Sequence, residues 1–144
     1  MKRIGACLFC VLFLGGMTFV CAEEGFDENG DGKVDKWIET DAEGNLSIKM
    51  DTDADGIVDY FVKYSEDREK ILEEMDYNHD GSMDDFYYYS HGVLERREID
   101  SNADGKIDIW VFLDQGVYVS RYLWDKDFDG EVDLVKDFGD NEQS

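Results

Sequence analysis

Residues 100–124 read DSNADGKIDIWVFLDQGVYVSRYLW, and the way that stretch divides decides the fold. The first nine residues, Asp100 to Asp108, carry oxygen-bearing side chains at positions one, three, five and nine and a glycine, Gly105, at the sixth. Asp, Asn and Gly in that order favour a tight bend over a regular element. Ile109 to Leu113 then follow without a polar residue, rich in β-branched and aromatic side chains, which argues a strand. Asp114-Gln115-Gly116 is a turn signal, and residues 117–124 carry the chain back as a second strand. The unit is therefore an acidic loop, a strand, a turn and a returning strand.

Four more copies of the loop flank this one. They begin at Asp27, Asp51, Asp76 and Asp125, so the five starts lie 24, 25, 24 and 25 residues apart. Position three is Asn29, Asp53, Asn78, Asn102 and Asp127; position five is Asp31, Asp55, Asp80, Asp104 and Asp129. Position nine is Asp35, Asp59, Asp84, Asp108 and Asp133, preceded each time by an apolar residue: Val34, Val58, Met83, Ile107 and Val132. Two places further on stands a bulky residue, Trp37, Phe61, Phe86, Trp110 or Val135. Strands are expected at Lys36–Thr40, Tyr60–Tyr64, 85–89 and 109–113, with return strands at 45–50, 93–99 and 117–124.

Self-similarity at a fixed period marks a repeat architecture, in which each unit buries its apolar face against the next. The expected fold is all-β, an antiparallel β-hairpin repeat in a meander or solenoid-like array of five 24–25-residue repeats. The alternative is a mixed α+β chain with EF-hand-like helices. Residues 65–75 test the choice, because they lack glycine and are strong helix formers. The repeat context favours an irregular hairpin there. Stacked repeats predict a continuous core with the position-equivalent aromatics as a ladder through it. Tyr87, Tyr88 and Tyr89, consecutive on a strand, must point to both faces.

Charge narrows the partners. The chain of 144 residues carries 36 acidic and 14 basic side chains, a formal charge of −22, with a hydrophobic fraction of 42%. Nucleic acid and anionic lipid would add to the repulsion, whereas a cation relieves it. Lys2 and Arg3 precede an apolar run, and Val20-Cys21-Ala22 ends it with small residues at the −3 and −1 places of a cleavable secretory signal. Residues 1–22 are expected to be that signal, 23–137 the five-repeat domain and 138–144 a tail. The protein is then secreted or periplasmic, in the cell envelope, with no membrane span after cleavage. A lipoprotein anchored at Cys21 is the alternative. All three cysteines (Cys7, Cys10 and Cys21) fall in the leader, so the mature chain has neither disulfide nor zinc-thiolate site.

The loop chemistry points to calcium. Calcium takes six to eight oxygen ligands at flexible geometry, and alternate side chains of a curled loop converge on one centre. Glycine at position six permits the turn that brings a position-seven carbonyl inward, here from Lys33, Ile57, Ser82, Lys106 or Glu131. An all-oxygen set disfavours zinc and copper, and magnesium demands a stricter octahedron.

Positions one, three, five and six resemble the calcium loops of the EF-hand superfamily, taken broadly to include dockerin and thrombospondin type 3 repeats. At position twelve, where an EF-hand has a bidentate Glu, this chain has Ile38, Val62, Tyr87, Val111 and Lys136, none of them a ligand. The loops are more similar to those of integrin α-type FG-GAP propeller repeats. That resemblance implies a last carboxylate from position nine: Asp35, Asp59, Asp84, Asp108 and Asp133. It extends to nine residues per repeat and to loop chemistry, not to the propeller.

No enzyme is expected. Asp137-Phe138-Gly139 matches a kinase tripeptide without the phosphate loop, lysine or catalytic aspartate that would give it meaning. His79 and His91 lack Cys or Ser partners at a recognisable spacing, and His79 sits at loop position four, which normally points outward. The expected role is calcium binding that stiffens a structural or adhesive module toward a protein or glycan partner. The alternative is a low-affinity calcium buffer or sensor. The fifth loop, nearest the C-terminus, is expected to be the weakest.

Overall fold

Each acidic loop folds the chain back on itself, and so does each turn between loops, so every strand lies beside its neighbours in sequence. The structure, a computed structural model, describes residues 2–3 and 23–138. β1 (Lys2–Arg3) pairs with β2 (Glu24–Asp27). Four hairpins follow: β3 (Lys36–Thr40) with β4 (Leu46–Met50), β5 (Tyr60–Tyr64) with β6 (Lys70–Met75), β7 (Asp85–Ser90) with β8 (Val93–Ile99), and β9 (Ile109–Asp114) with β10 (Tyr118–Trp124). β11 (Leu134–Asp137) closes the sheet, which is antiparallel throughout and ordered as the sequence is. The all-β meander expected from the repeats is the fold.

The helical alternative is not realised, since the described residues contain no helix. Aromatic and β-branched runs flank the loops, and these side chains pack well on a pleated surface and poorly against a preceding helical turn. Residues 65–75 also form a hairpin. The N–H of Ser65 donates to the carbonyl of Glu69, and that of Arg68 to Ser65, at 2.8 and 2.9 Å. The first turn is built alike, Asp41 donating to Asn45 and Gly44 to Asp41. Arg68 therefore stands where Gly44 stands, at a φ of 66° that costs a non-glycine residue about 1–2 kcal/mol. Pairing with the strands on either side outweighs both that cost and the local helix preference. The leader expected at 1–22 lies outside the described residues apart from the β1 backbone, and the tail lies outside them beyond Phe138.

The expected continuous core differs in kind. Among the described residues, strand contacts of any extent join only sequence neighbours, so those residues form a single-layer sheet. Among them, only Phe26 and Val62 are buried apolar residues. Trp37, Phe61, Phe86 and Trp110 do share one face, but each lies two strands from the next, roughly 10 Å away. Between them in the same row stand Lys49, Glu74 and Glu98. The row is a mixed stripe rather than a stack of rings.

The opposite face carries polar clusters that tie the central strands together. Glu73, 8% exposed, accepts from Tyr60 Oη at 2.6 Å, Tyr89 Oη at 2.9 Å and Lys70 Nζ at 2.8 Å. Asp85 is held by the Arg97 guanidinium and by Tyr87 Oη at 3.0 Å. Tyr87 and Tyr89 thus serve this face, while Tyr88 lies on the other beneath Arg96, 4.2 Å from its ring centre. Both faces take tyrosines, as alternation requires.

Glu73 and Glu74 are neighbours with opposite acidities. Burial pushes the Glu74 carboxyl up. Burial acts on Glu73 too, but Lys70, Tyr60 and Tyr89 together hold it below its ordinary value of 4.5. A carboxyl depressed on folding contributes stability that is present above its unfolded value and lost as pH falls through its folded one. Glu73→Gln should therefore lose less stability than the parent chain between pH 6 and pH 3, by about 1 kcal/mol. Chemical denaturation at the two pH values measures this, and equal acid sensitivity in both proteins would refute the role given to Glu73.

Candidate metal centre

All five acidic loops connect an even-numbered strand to the next odd one, so they line one edge of the sheet. Within each loop the backbone curls through two left-handed residues. Position six is always glycine, with φ between 84° and 98°. Position four has φ between 58° and 84° and is Gly30, Ala54, His79, Ala103 or Phe128. The loop is closed by one backbone bond, from the N–H of position nine to the carbonyl just before position one. These are Asp35 to Phe26, Asp59 to Met50, Asp84 to Met75, Asp108 to Ile99 and Asp133 to Trp124, all 2.8–3.0 Å.

The curl aims N–H groups at two carboxylates. Asp51 accepts from Ala54 at 2.7 Å and from Gly56 at 2.8 Å. Asp27, Asp76 and Asp125 accept from the same two positions of their own loops. Asp100 does so from Gly105 and from Asp104. The position-nine carboxylates accept from position two: Glu28 to Asp35, Thr52 to Asp59, Tyr77 to Asp84, Ser101 to Asp108 and Lys126 to Asp133. The Thr52 and Ser101 hydroxyls add a second bond to Asp59 and Asp108. Nine of these ten aspartates are buried, and the exception is Asp133 in the fifth loop.

Positions three and five are exposed. The position-five carboxylates of Asp31, Asp55, Asp80, Asp104 and Asp129 accept from the N–H groups of Lys33, Ile57, Ser82, Lys106 and Glu131. Asn29, Asp53 and Asn102 accept from the N–H of position five. Asn78 instead donates its amide to Asp84 at 3.2 Å, an orientation that would have to flip to offer a cation its oxygen.

Three loops draw carboxylates into a common cluster. Oxygens of Asp51, Asp53 and Asp55 lie within 4.8 Å of one another, as do those of Asp76, Asp80 and Asp84, and those of Asp125, Asp127 and Asp133. Two ligands of one calcium, each about 2.4 Å from it, can be no farther apart than about 4.8 Å. Among the described residues, loops one and four form no such carboxylate group. Each has Asn at position three, so one of its oxygens comes from an amide.

Acidity follows geometry. The Glu28 and Asn29 N–H groups hold the Asp35 carboxyl low. Burial pushes Asp59 up, but the Thr52 hydroxyl and N–H and the His79 ring more than offset it. Asp127 is pushed up by the like charges of Asp129 and Asp133.

His79 is exposed and points out of its own loop, as expected, but toward the preceding one. Its Nδ1 reaches the preceding loop, 3.1 Å from Asp59 and 3.5 Å from Asp53, and the bond to Asp59 raises its pKa. The three residues also form a mixed nitrogen and oxygen cluster between loops two and three. Sequence spacing within one loop cannot reveal it, because the contact crosses two strands. Loops are joined by backbone as well: Asp51, Asp76, Asp100 and Asp125 each donate an N–H to the position-nine carbonyl of the loop before. Comparison with protein-family models, with curated proteins and with solved structures returned no match.

Proposed function

We propose that the loop edge binds divalent cations, calcium first, and that the ions stiffen the sheet as a structural module. The observation that carries this reading is the convergence of three carboxylates within 4.8 Å in each of loops two, three and five. Every donor available to a cation in those three groups is oxygen, which suits a hard ion. The backbone bonds do not exhaust the carboxylates, because each oxygen has two lone pairs and most accept a single N–H. Asp51, Asp53, Asp55, Asp76, Asp80, Asp84, Asp125, Asp127 and Asp133 would hold the ions in these loops, with the position-seven carbonyls of Ile57, Ser82 and Glu131 completing the shell. Export, on this reading, places the chain where calcium is near millimolar. Bound calcium supplies charge neutralisation and rigidity, not chemistry on a substrate.

Extracellular sites of this type bind at roughly 0.1–1 mM. At about 1 mM calcium and a dissociation constant near 0.1 mM, one site stabilises by about 1.4 kcal/mol. Three filled loops then give about 4 kcal/mol, which for a chain this size raises Tm by roughly 10–20 °C. Thermal melts in EDTA and then in millimolar calcium should show that rise, and magnesium should give a smaller one. Coincident melts with and without calcium would rule the reading out.

The competing view is that the loops are turns whose aspartates serve only the backbone, and one substitution separates the two. Asp80→Asn keeps an acceptor for the Ser82 N–H while removing a charge from the third loop. Stability in EDTA should be unchanged within about 0.5 kcal/mol, while calorimetry should show calcium affinity at that loop weakened roughly tenfold. A variant that binds calcium as the parent does would place Asp80 outside the ligand set.

A further inference from the structure

We propose that His79, Asp59 and Asp53 form a second kind of cation site, bridging loops two and three, for a borderline divalent ion of the zinc class. Its donors differ from those within a single loop. One is an imidazole nitrogen from position four of loop three, and two are carboxylate oxygens from positions three and nine of loop two. An imidazole suits zinc and its neighbours in the first transition row, whereas calcium takes oxygen. The site needs no calcium in any loop, and an ion held there would tie two loops together across β5 and β6.

An ion pair accounts for only half of the arrangement. Nδ1 of His79 stands 3.1 Å from Asp59 Oδ1 and 3.5 Å from Asp53 Oδ2. A ring nitrogen carries at most one hydrogen, so it donates to one of these carboxylates and leaves the other facing it. Zinc holds its ligands about 2.0 Å away in a tetrahedron, which sets them roughly 3.3 Å from one another. The two separations at His79 straddle that value, and all three donor atoms lie within 4.8 Å of one another. On binding, the ion takes the Nδ1 lone pair and any proton there passes to solvent. Water takes the fourth position.

The surroundings fit a ligand role. A ligating carboxylate is ordinarily fixed through further hydrogen bonds. Asp59 meets that condition: its Oδ2 accepts from the Thr52 N–H and hydroxyl, both at 2.6 Å, while Oδ1 turns to His79. Asp53 is fixed alike, Oδ1 accepting from the Asp55 N–H at 3.1 Å while Oδ2 faces the ring. Asp59 is buried, but the side chains of His79 and Asp53 are 40% and 39% exposed, which opens a path for the ion. Position four of the other loops is Gly30, Ala54, Ala103 or Phe128, so none of them offers a nitrogen there. One such site per chain follows.

Calorimetry of the full chain with zinc alone, in metal-free buffer, tests this, with proton NMR of the histidine rings beside it. One zinc per chain should shift the His79 ring signals and leave those of His91 in place, since His91 lies in the turn between β7 and β8 on the opposite edge. His79→Asn suits the left-handed backbone there, at a φ of 58°. It should weaken zinc about tenfold or more while calcium uptake stays as in the parent. Circular dichroism checks that the sheet is intact. Zinc affinity indifferent to His79→Asn, or His79 signals that do not move, would overturn the proposal. Calcium uptake without zinc uptake would overturn it too and leave the calcium reading standing, whereas zinc uptake at His79 without calcium uptake would support it and sink that reading.

Discussion

Carboxylate oxygens accepting backbone N–H groups are the interaction on which the rest of this structure depends. A buried carboxylate is stable only when its desolvation is offset by donors or opposite charge. Here the loop backbone supplies the donors, because residues four and six in left-handed conformations turn their amides toward the first aspartate. The same curl presents the amide of position two to the last aspartate. Bonds of this charge-assisted kind contribute about 1.5–3 kcal/mol each, more than a neutral pair. Since each loop also fixes the register of the two strands it joins, the aspartates do the organising that a hydrocarbon core does elsewhere.

A single-layer sheet explains why so much falls to the loops. The described residues supply no second layer, and large side chains among them are half-buried by their cross-strand neighbours. Charged residues interleaved with aromatics are then useful rather than disruptive. Lys49 stands between Trp37 and Phe61, its ammonium 3.4 Å from Glu23 and 3.9 Å from Glu39. Arg96 and Arg97 lie over the rings of Tyr88 and Tyr87, at 4.2 and 5.0 Å. Stability in such an array is a sum of nearest-neighbour terms, so damage at one hairpin spreads only as far as the next.

The fold was legible because the loop signal and the strand signal recur in the same phase. Residues 65–75 were the one place where local propensity argued against the repeat, and pairing on both sides decided it. Less legible was everything that depends on what lies across two strands. The aromatic positions were found correctly, yet their spacing in the sheet follows from strand order, which places Lys49, Glu74 and Glu98 between them. The bond from His79 to Asp59 has the same origin. At the loops, identical letters do not make identical geometry. Asn at position three in loops one, three and four, and the exposure of Asp133, separate copies that read alike.

The loops also cannot be treated as independent. Successive loops stand roughly 10 Å apart along the edge, close to the Debye length of about 8 Å at physiological salt. Each therefore feels its neighbours' charge only partly screened, in a chain whose formal charge is −22. The backbone bonds from Asp51, Asp76, Asp100 and Asp125 to the preceding loop fix that spacing, so the loops cannot move apart to relieve the repulsion. Among the described residues, His79 answers it from within by setting an imidazole between Asp53 and Asp59, and Lys36 does so at the first loop, 2.9 Å from Glu28. These few cations stand against a far larger number of loop carboxylates. A cation taken up at one loop lowers the electrostatic cost at the next, which makes the edge behave as one polyanion with a fixed pitch rather than as five separate sites.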